Sequence, residues 1–533
     1  MKLTKKTIFI LSLVFLFSLI FYIKIPNENP DKYLKNVLST TIFSFSSLLI
    51  FFSIIHNQKI KKIFITLISI YIIILFSVRY TYGECTIGVL GAIHDTSISE
   101  SIEFLKSLAI KFYIICIFLY LLIHASLSQI SNLETKFNKY IFLLFGLSLL
   151  VTSVLVYYKD KAFNYFYSPL SQDEYHIYNY QYPIIYLFER NVFFAPIANY
   201  YLFYKINNNF KQEIVSKWTN VSRYNSAYSG KDVYIVNIGE SAIKSHFSLY
   251  GYKIKTNFPI SGLIQVDGAV SPSVQTRLSV PRILSKNQSV KDYDTNLNII
   301  DLANSAGFET YWVSNQSQNG LYDTPISVIA DRANHSYYSN IDYEHAKPDN
   351  VLIPKIEKII KTKTKKPKII FINTMGSHPD FCDRISAQDH KFKTNRPEQL
   401  DCYDDSILYG FKFLDHIKKI LEKNKTSYSI VYFSDHGLVD SKNPPYLVHG
   451  VTQSNFTRQA VEVPFFFISD NKNTKPIVIK QNYNLRMFYS TFASWVGIHA
   501  DQIKPDESIF NYKPSGSELK VLDGTYHTRT ITQ

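Results

Sequence analysis

Five apolar stretches crowd the first third of the chain, near 7–24, 38–56, 62–79, 109–127 and 139–157. Each is long enough to cross a bilayer, for which about 20 predominantly apolar residues suffice. Lipid offers no partner to an open backbone, so this part can fold only as membrane helices. The first stretch follows a basic start with Lys2, Lys5 and Lys6. No small-residue cleavage site follows it and four more spans do, so it reads as a retained helix and not as a signal peptide. The link between the second and third spans carries Lys59, Lys61 and Lys62. The link between the fourth and fifth carries Lys136 and Lys139 against Glu134. The third link is acidic, with Glu84, Asp95, Glu100 and Glu103. Basic links stay in the cytoplasm. The amino terminus is therefore expected inside, and an odd number of spans puts everything past about residue 158 outside.

A three-part organisation is expected: a membrane domain over 1–158, an interfacial segment over 159–228 and an exported domain over 229–533. The middle segment is rich in Tyr and Phe, including Phe163, Tyr165, Phe166 and Tyr167. Amphipathic aromatics favour the membrane–water boundary, so Tyr180–Leu187 and Phe193–Phe203 are expected in or near it. Lys and Arg outnumber Asp and Glu by 57 to 43, a formal net charge of +14 that suits an anionic lipid surface. No helix-turn-helix, zinc-finger or RNA-recognition signature occurs, so nucleic acid is not an expected partner. Of the four cysteines, Cys116 lies in an apolar run and Cys85 in a loop, while Cys382 and Cys402 fall in the exported part, where a disulfide between them is chemically allowed.

From about Lys231, apolar runs of strand length alternate with helical stretches. The strands are Val233–Ile238, Phe308–Val313, Lys368–Asn373, Ser429–Phe433 and Val463–Ile468. Helices are expected over Asn298–Ala306, Ile353–Ile360 and Ser406–Glu422. This alternation predicts an α/β domain with a mainly parallel central sheet covered on both faces. Such sheets bind ligands beyond the carboxyl ends of their strands. Past three of these strands come Gly239-Glu240-Ser241, Met375-Gly376-Ser377-His378 and Ser434-Asp435-His436-Gly437. Each residue alone has a bland explanation: a helix cap, a loop histidine, a polar turn. Together, at one sheet edge, carboxylate and imidazole suit zinc. His449, a short loop further on, is the next candidate ligand.

A nucleophile is offered by Thr276, ahead of the helix start predicted at Ser279-Val280-Pro281. Free N–H groups and the positive end of a helix dipole favour an alkoxide or a bound phosphate. A plain N-cap role for Thr276 or Ser279 accounts for the same residues equally well.

Val236-Asn237-Ile238-Gly239-Glu240-Ser241 followed by Ser248-Leu249-Tyr250-Gly251-Tyr252 resembles a block of the bacterial phosphoethanolamine transferases, membrane enzymes of the alkaline phosphatase/sulfatase superfamily that modify lipid A or the lipopolysaccharide core. The resemblance extends over the whole chain. It implies five spans, an interfacial segment and an alkaline-phosphatase-like domain. It further implies one tightly bound zinc ion on Glu240, Thr276, Asp435 and His436, with Thr276 as nucleophile. His378 and His449 would hold a second zinc, or act on the substrate as proton donor and charge clamp. Asn315 matches a substrate-pocket position, and Thr96 and Glu100 a T-x-x-x-E element that binds the lipid donor. The implied donor is phosphatidylethanolamine, and the acceptor lipid A or another part of lipopolysaccharide. The implied location is the bacterial inner membrane, with the catalytic domain in the periplasm. Two positions depart from the family: Ala92 replaces an asparagine one helical turn before Thr96, and Arg282 stands where a cysteine is common. Two other readings share parts of this pattern, a phosphoglycerol transferase resembling lipoteichoic acid synthase and a non-catalytic membrane scaffold. No Cys/Ser-x-Pro-x-Arg block of a sulfatase nucleophile is present.

Overall fold

The computed structural model describes residues 55–82, 110–131 and 215–531 apart from 317–324, 340–346, 442–445, 450–455, 472–475, 514–518 and 525–526, with a few isolated positions before residue 215. Two helices among the described residues are long and apolar enough to cross a membrane: α1 (Gln58–Tyr82) and α2 (Ile110–Ser131). They correspond to the third and fourth expected spans. The spans near 7–24, 38–56 and 139–157 lie outside the described residues, apart from Phe52, Ile55 and His56. So do Thr96, Glu100, Tyr180–Leu187 and most of Phe193–Phe203. Asn57 Oδ1 accepts from Lys59 N at 2.9 Å and Ile60 N at 3.3 Å, so the helix starts earlier than its apolar run suggests. Lys59, Lys61 and Lys62 thus stand on the first turns of α1 and not in a link. Ile65 and Ile72 pack with Ile123 and Leu127 between the two helices. Ile63, Leu67, Ile74, Ile114, Ile117 and Phe118 are exposed, which suits a surface solvated by acyl chains rather than water.

The part that follows residue 215 is built on an eight-stranded sheet. Its strands are β1 (Val233–Gly239), β2 (Leu263–Val270), β3 (Glu309–Ser314), β4 (His335–Tyr338), β5 (Lys368–Asn373), β6 (Tyr428–Ser434), β7 (Phe465–Ser469) and β8 (Ile477–Asn484). They lie in the order β8-β2-β7-β6-β1-β5-β3-β4. All neighbours pair in parallel except β7, which runs antiparallel to both β6 and β2. Every residue of β1, β5 and β6 is buried, as expected of central strands covered on both faces.

Alternate side chains feed two cores. Tyr234, Val236, Ile238, Phe371, Val431 and Phe433 pack on one face against helices α3 (Thr276–Leu284), α4 (Ile299–Ser305) and α7 (Phe488–Val496). Val233, Ile235, Ile370, Ile372 and Ile430 pack on the other against α5 (Ile353–Lys361) and α6 (Glu398–Lys423). Helix α6 begins eight residues before the stretch expected from apolar spacing. Its first turn is acidic, with Glu398 and Asp401, which suits the positive end of the helix dipole. The folded unit also reaches back past residue 229. Trp218 is buried in the first core and donates through Nε1 to Asn298 O at 2.8 Å, so residues 215–228 pack as part of this domain.

Cys382 and Cys402 form a disulfide that ties the segment after β5 to α6, with a sequence separation of 20. A loop of that length limits the unfolded chain by about 3 kcal/mol in the chain-entropy view. Cys402→Ser in the full-length protein is expected to lose about 2–4 kcal/mol of stability, read as a lowered denaturation midpoint that reductant does not lower further.

Candidate active site

The carboxyl ends of β1, β5 and β6 meet at one edge, and each is followed by a tight turn. Gly239 ends β1 against Tyr432 of the neighbouring strand, where a Cβ would come within 2.8 Å of the ring's Cζ. The next residues swing Glu240 inward through Ser241, which adopts a left-handed φ of 56°. That conformation costs a non-glycine residue on the order of 1–3 kcal/mol. The turn is held by Ser241 N donating to Asp435 Oδ1 (3.1 Å), Ala242 N to Ser434 Oγ (2.8 Å) and Tyr403 Oη to Ser241 O (2.8 Å). Asp435 and His436 follow β6, and Asp435 N donates to Gly239 O at 3.0 Å, locking the two turns together.

Glu240, Asp435 and His436, all buried, offer ligand atoms within 4.8 Å of one another. Thr276 is the first residue of α3. Gln275 takes the N-cap position without a side-chain cap bond, so neither Thr276 nor Ser279 is the cap. Thr276 Oγ1 lies 3.0 Å from Glu240 Oε2, 3.3 Å from Glu240 Oε1 and 3.3 Å from His436 Nε2. His436 Nδ1 meets Gly437 O at 2.9 Å. That contact assigns one proton to Nδ1 and turns Nε2 towards Glu240 (3.2 Å) and Asp435 (3.5 Å), the face that a metal-ligating histidine presents.

The electrostatics ask for a cation. Burial, and then the charge of Glu240, push the Asp435 carboxyl up to about 7. Burial would also raise Glu240, but the hydrogen bond and charge of His436 outweigh it and hold Glu240 below the usual carboxylate range. Burial would lower His436, and the two carboxylates instead raise it to about 9. Asp435 Oδ2 is buried without a hydrogen-bond partner, although Thr276 and His436 lie close enough to stabilise its charge. Two carboxylates, one imidazole and one hydroxyl fit a divalent cation, whose charge would replace the shared protons.

The other expected residues are placed less uniformly. His449 stacks obliquely on His436 with ring centroids 5.1 Å apart, and burial with the charges of His436 and His378 pushes it down to about 3. A ring held neutral this firmly suits a metal ligand, which must be unprotonated, better than a proton carrier. His378 follows β5 and lies within electrostatic range of Glu240 and His449, its Nδ1 2.6 Å from Pro379 O. Asn315 is turned to a supporting task. Its Nδ2 donates to Lys347 O and Asp349 Oδ1, both at 2.8 Å, and its Oδ1 accepts from Ser339 Oγ at 2.7 Å. With those atoms engaged, its side chain braces buried Asp349, which accepts from Met375 N and Gly376 N and so shapes the turn after β5. The neighbouring Gln316, which the sequence reading passed over, is the residue that reaches Glu240. Applying the strand-end rule to β3 as well as to β1, β5 and β6 would have found it.

The sequence matches the family described as Sulfatase over residues 232–498. Phosphoethanolamine transferase OpgE of Escherichia coli (strain K12) is 27% identical over 478 residues, covering 86% of this chain and 84% of that protein. A putative phosphoethanolamine transferase of Haemophilus influenzae is 31% identical over 240 residues, covering 42% of this chain and 48% of its own length. Among solved structures, the integral membrane protein lipooligosaccharide phosphoethanolamine transferase A of Neisseria meningitidis superposes with a TM-score of 0.62 at 16% identity, over 94% of this chain and 97% of that one. The C-terminal periplasmic domain of EcEptC from Escherichia coli, in a complex with Zn, superposes with a TM-score of 0.52 at 20% identity, over 60% and 96%. At these identities the likeness is one of fold.

Two outcomes are expected from the site's geometry. Divalent-cation binding should release protons in weakly buffered solution near neutral pH and should weaken as pH falls from about 8 to 5.5, because the protons on Asp435 and His436 compete with the metal. Gly376 has φ +47°, and a Cβ there would come within 2.8 Å of Glu240 N. Gly376→Ala should therefore lose about 1–3 kcal/mol of stability and retain less metal, read by thermal unfolding and elemental analysis.

Proposed function

This chain belongs to the sulfatase family, and we propose that within it the protein transfers phosphoethanolamine from phosphatidylethanolamine to lipid A or the lipopolysaccharide core, by way of a phosphothreonine at Thr276. The observation that carries this reading is Thr276 Oγ1 at the start of α3, 3.0 Å from Glu240 and 3.3 Å from His436. The relatives described above are named as phosphoethanolamine transferases, which supports the same group as cargo.

Glu240, Asp435, His436 and the Thr276 oxygen would hold one zinc ion, with His378 and His449 beside it for a second zinc or for the substrate. Bound zinc would lower the pKa of the hydroxyl and polarise the phosphoryl group. In the first step Thr276 Oγ1 attacks phosphorus and its proton leaves along the hydrogen bond to Glu240. The bond from phosphorus to the glycerol oxygen breaks, and diacylglycerol departs with the proton that Thr276 gave up. The N-terminal amides of α3 face the growing negative charge. In the second step an acceptor oxygen attacks the phosphorus, the bond to Thr276 Oγ1 breaks, and the proton given up by the acceptor returns to the Thr276 oxygen.

The membrane part, proposed as five spans with the catalytic domain in the periplasm, keeps the enzyme on the surface to which both lipid substrates are confined. Each group added would place an ammonium on lipopolysaccharide and reduce its attraction for cationic peptides such as polymyxin.

Thr276→Ala should keep its melting temperature and abolish diacylglycerol release from phosphatidylethanolamine, a loss of at least about 10³-fold. Mass spectrometry of lipopolysaccharide from cells carrying each form should show the added phosphoethanolamine only with wild type. Full transfer by the variant would remove the mechanism.

A further inference from the structure

Gln316 lies two residues past β3, and the transfer chemistry above leaves it without a task. Its amide nitrogen bonds twice, to Glu240 Oε2 at 3.1 Å and to Thr374 O at 2.9 Å. Flipping the amide would set its oxygen against two acceptors, so the orientation is decided by its surroundings. Both ends of this bridge are anchored to the sheet. Thr374 donates through N (3.1 Å) and Oγ1 (2.9 Å) to Ile238 O of β1. Gln316 N donates to Ser314 Oγ of β3 at 3.0 Å, and that hydroxyl donates to Gln316 O at 3.1 Å.

The bridge ends on the carboxylate with the most contacts in the site. The last torsion of a glutamate has no sharp preference, so its two oxygens take fixed places only if each is held. Ser241 Oγ holds Oε1 at 2.8 Å. Gln316 holds Oε2, the same oxygen that accepts from Thr276. The geometry points to Gln316 as a positioning residue. It sets the plane of the Glu240 carboxylate, keeps one lone pair aimed at the cation and keeps Oε2 beside the Thr276 hydroxyl. Outer partners of metal ligands typically change metal affinity 10–100-fold when removed, and Gln316 stands in that relation to Glu240. This role rests on the metal reading of the site and does not require that the cargo be phosphoethanolamine.

The test uses full-length protein in detergent, stripped of metal and titrated with zinc against a chromophoric chelator. Gln316→Met keeps the length of the side chain and removes its donor. It is expected to raise the zinc Kd by about 10–100-fold. The melting temperature of the metal-free protein should stay the same, since the change leaves the cores untouched. Excess zinc should restore turnover while KM for phosphatidylethanolamine stays unchanged. If the Met variant does not fold, Gln316→Ala should give the same loss of affinity. An unchanged zinc Kd in a folded variant would overturn the assignment, as would a raised KM at saturating zinc, which would make Gln316 a substrate contact. Zinc binding is read whether or not transfer occurs, so wild-type protein that binds zinc and transfers nothing would count against the proposed function alone.

Discussion

Two carboxylates, Glu240 and Asp435, are 2% and 0% exposed and share one small volume. Buried like charges repel strongly where water cannot screen them, so such a pair persists only with positive charge or protons between its members. Much of the local architecture serves this arrangement. The backbone of β1 is bonded to that of β6, the turn after each strand is cross-linked to the other, and Ser241 is held in a left-handed conformation by three separate partners. Helix α3 then brings one hydroxyl to the same point. The site is an electrostatic problem built into a rigid sheet edge, and a divalent cation is its simplest solution.

How legible this was depended on whether the signal was local. Glu240, His378 and Asp435-His436 each follow an apolar run, so the rule that ligands gather past parallel strands found them without any three-dimensional knowledge. Thr276 was marked by the helix behind it, though that helix starts three residues earlier than Ser279 and its cap is Gln275. Asn315 and Gln316 show the limit. They are adjacent amides past the same strand, yet one braces Asp349 and the other reaches Glu240, a choice set by the side-chain direction alternating along the chain and by a carboxylate 34 residues away from Asn315. The direction of β7 was equally hidden, because a fully buried strand such as Phe-Phe-Phe-Ile reads the same whichever way it runs.

The two long apolar helices illustrate a different kind of legibility. Their apolar length was read directly, but their ends were not, because Lys59, Lys61 and Lys62 looked like a link and stand on helix turns instead. Long basic side chains can extend towards the interface from such turns, so charge marks the boundary of the bilayer without marking the end of the helix.

The order of strands in the sheet carries a consequence for how the protein is made. Asp232 and Ser427 flank the two central strands and bond to each other although they stand 195 residues apart. β2 finds its partners only in β7 and β8, from the far end of the domain. The β2 side of the sheet cannot close until nearly the whole domain has been made, and contacts of such long sequence separation form slowly. β1 finds a partner once β5 is made, but β2 stays a bare apolar strand until β7 and β8 follow, so it is open to wrong partners for longer than its early place in the domain would suggest.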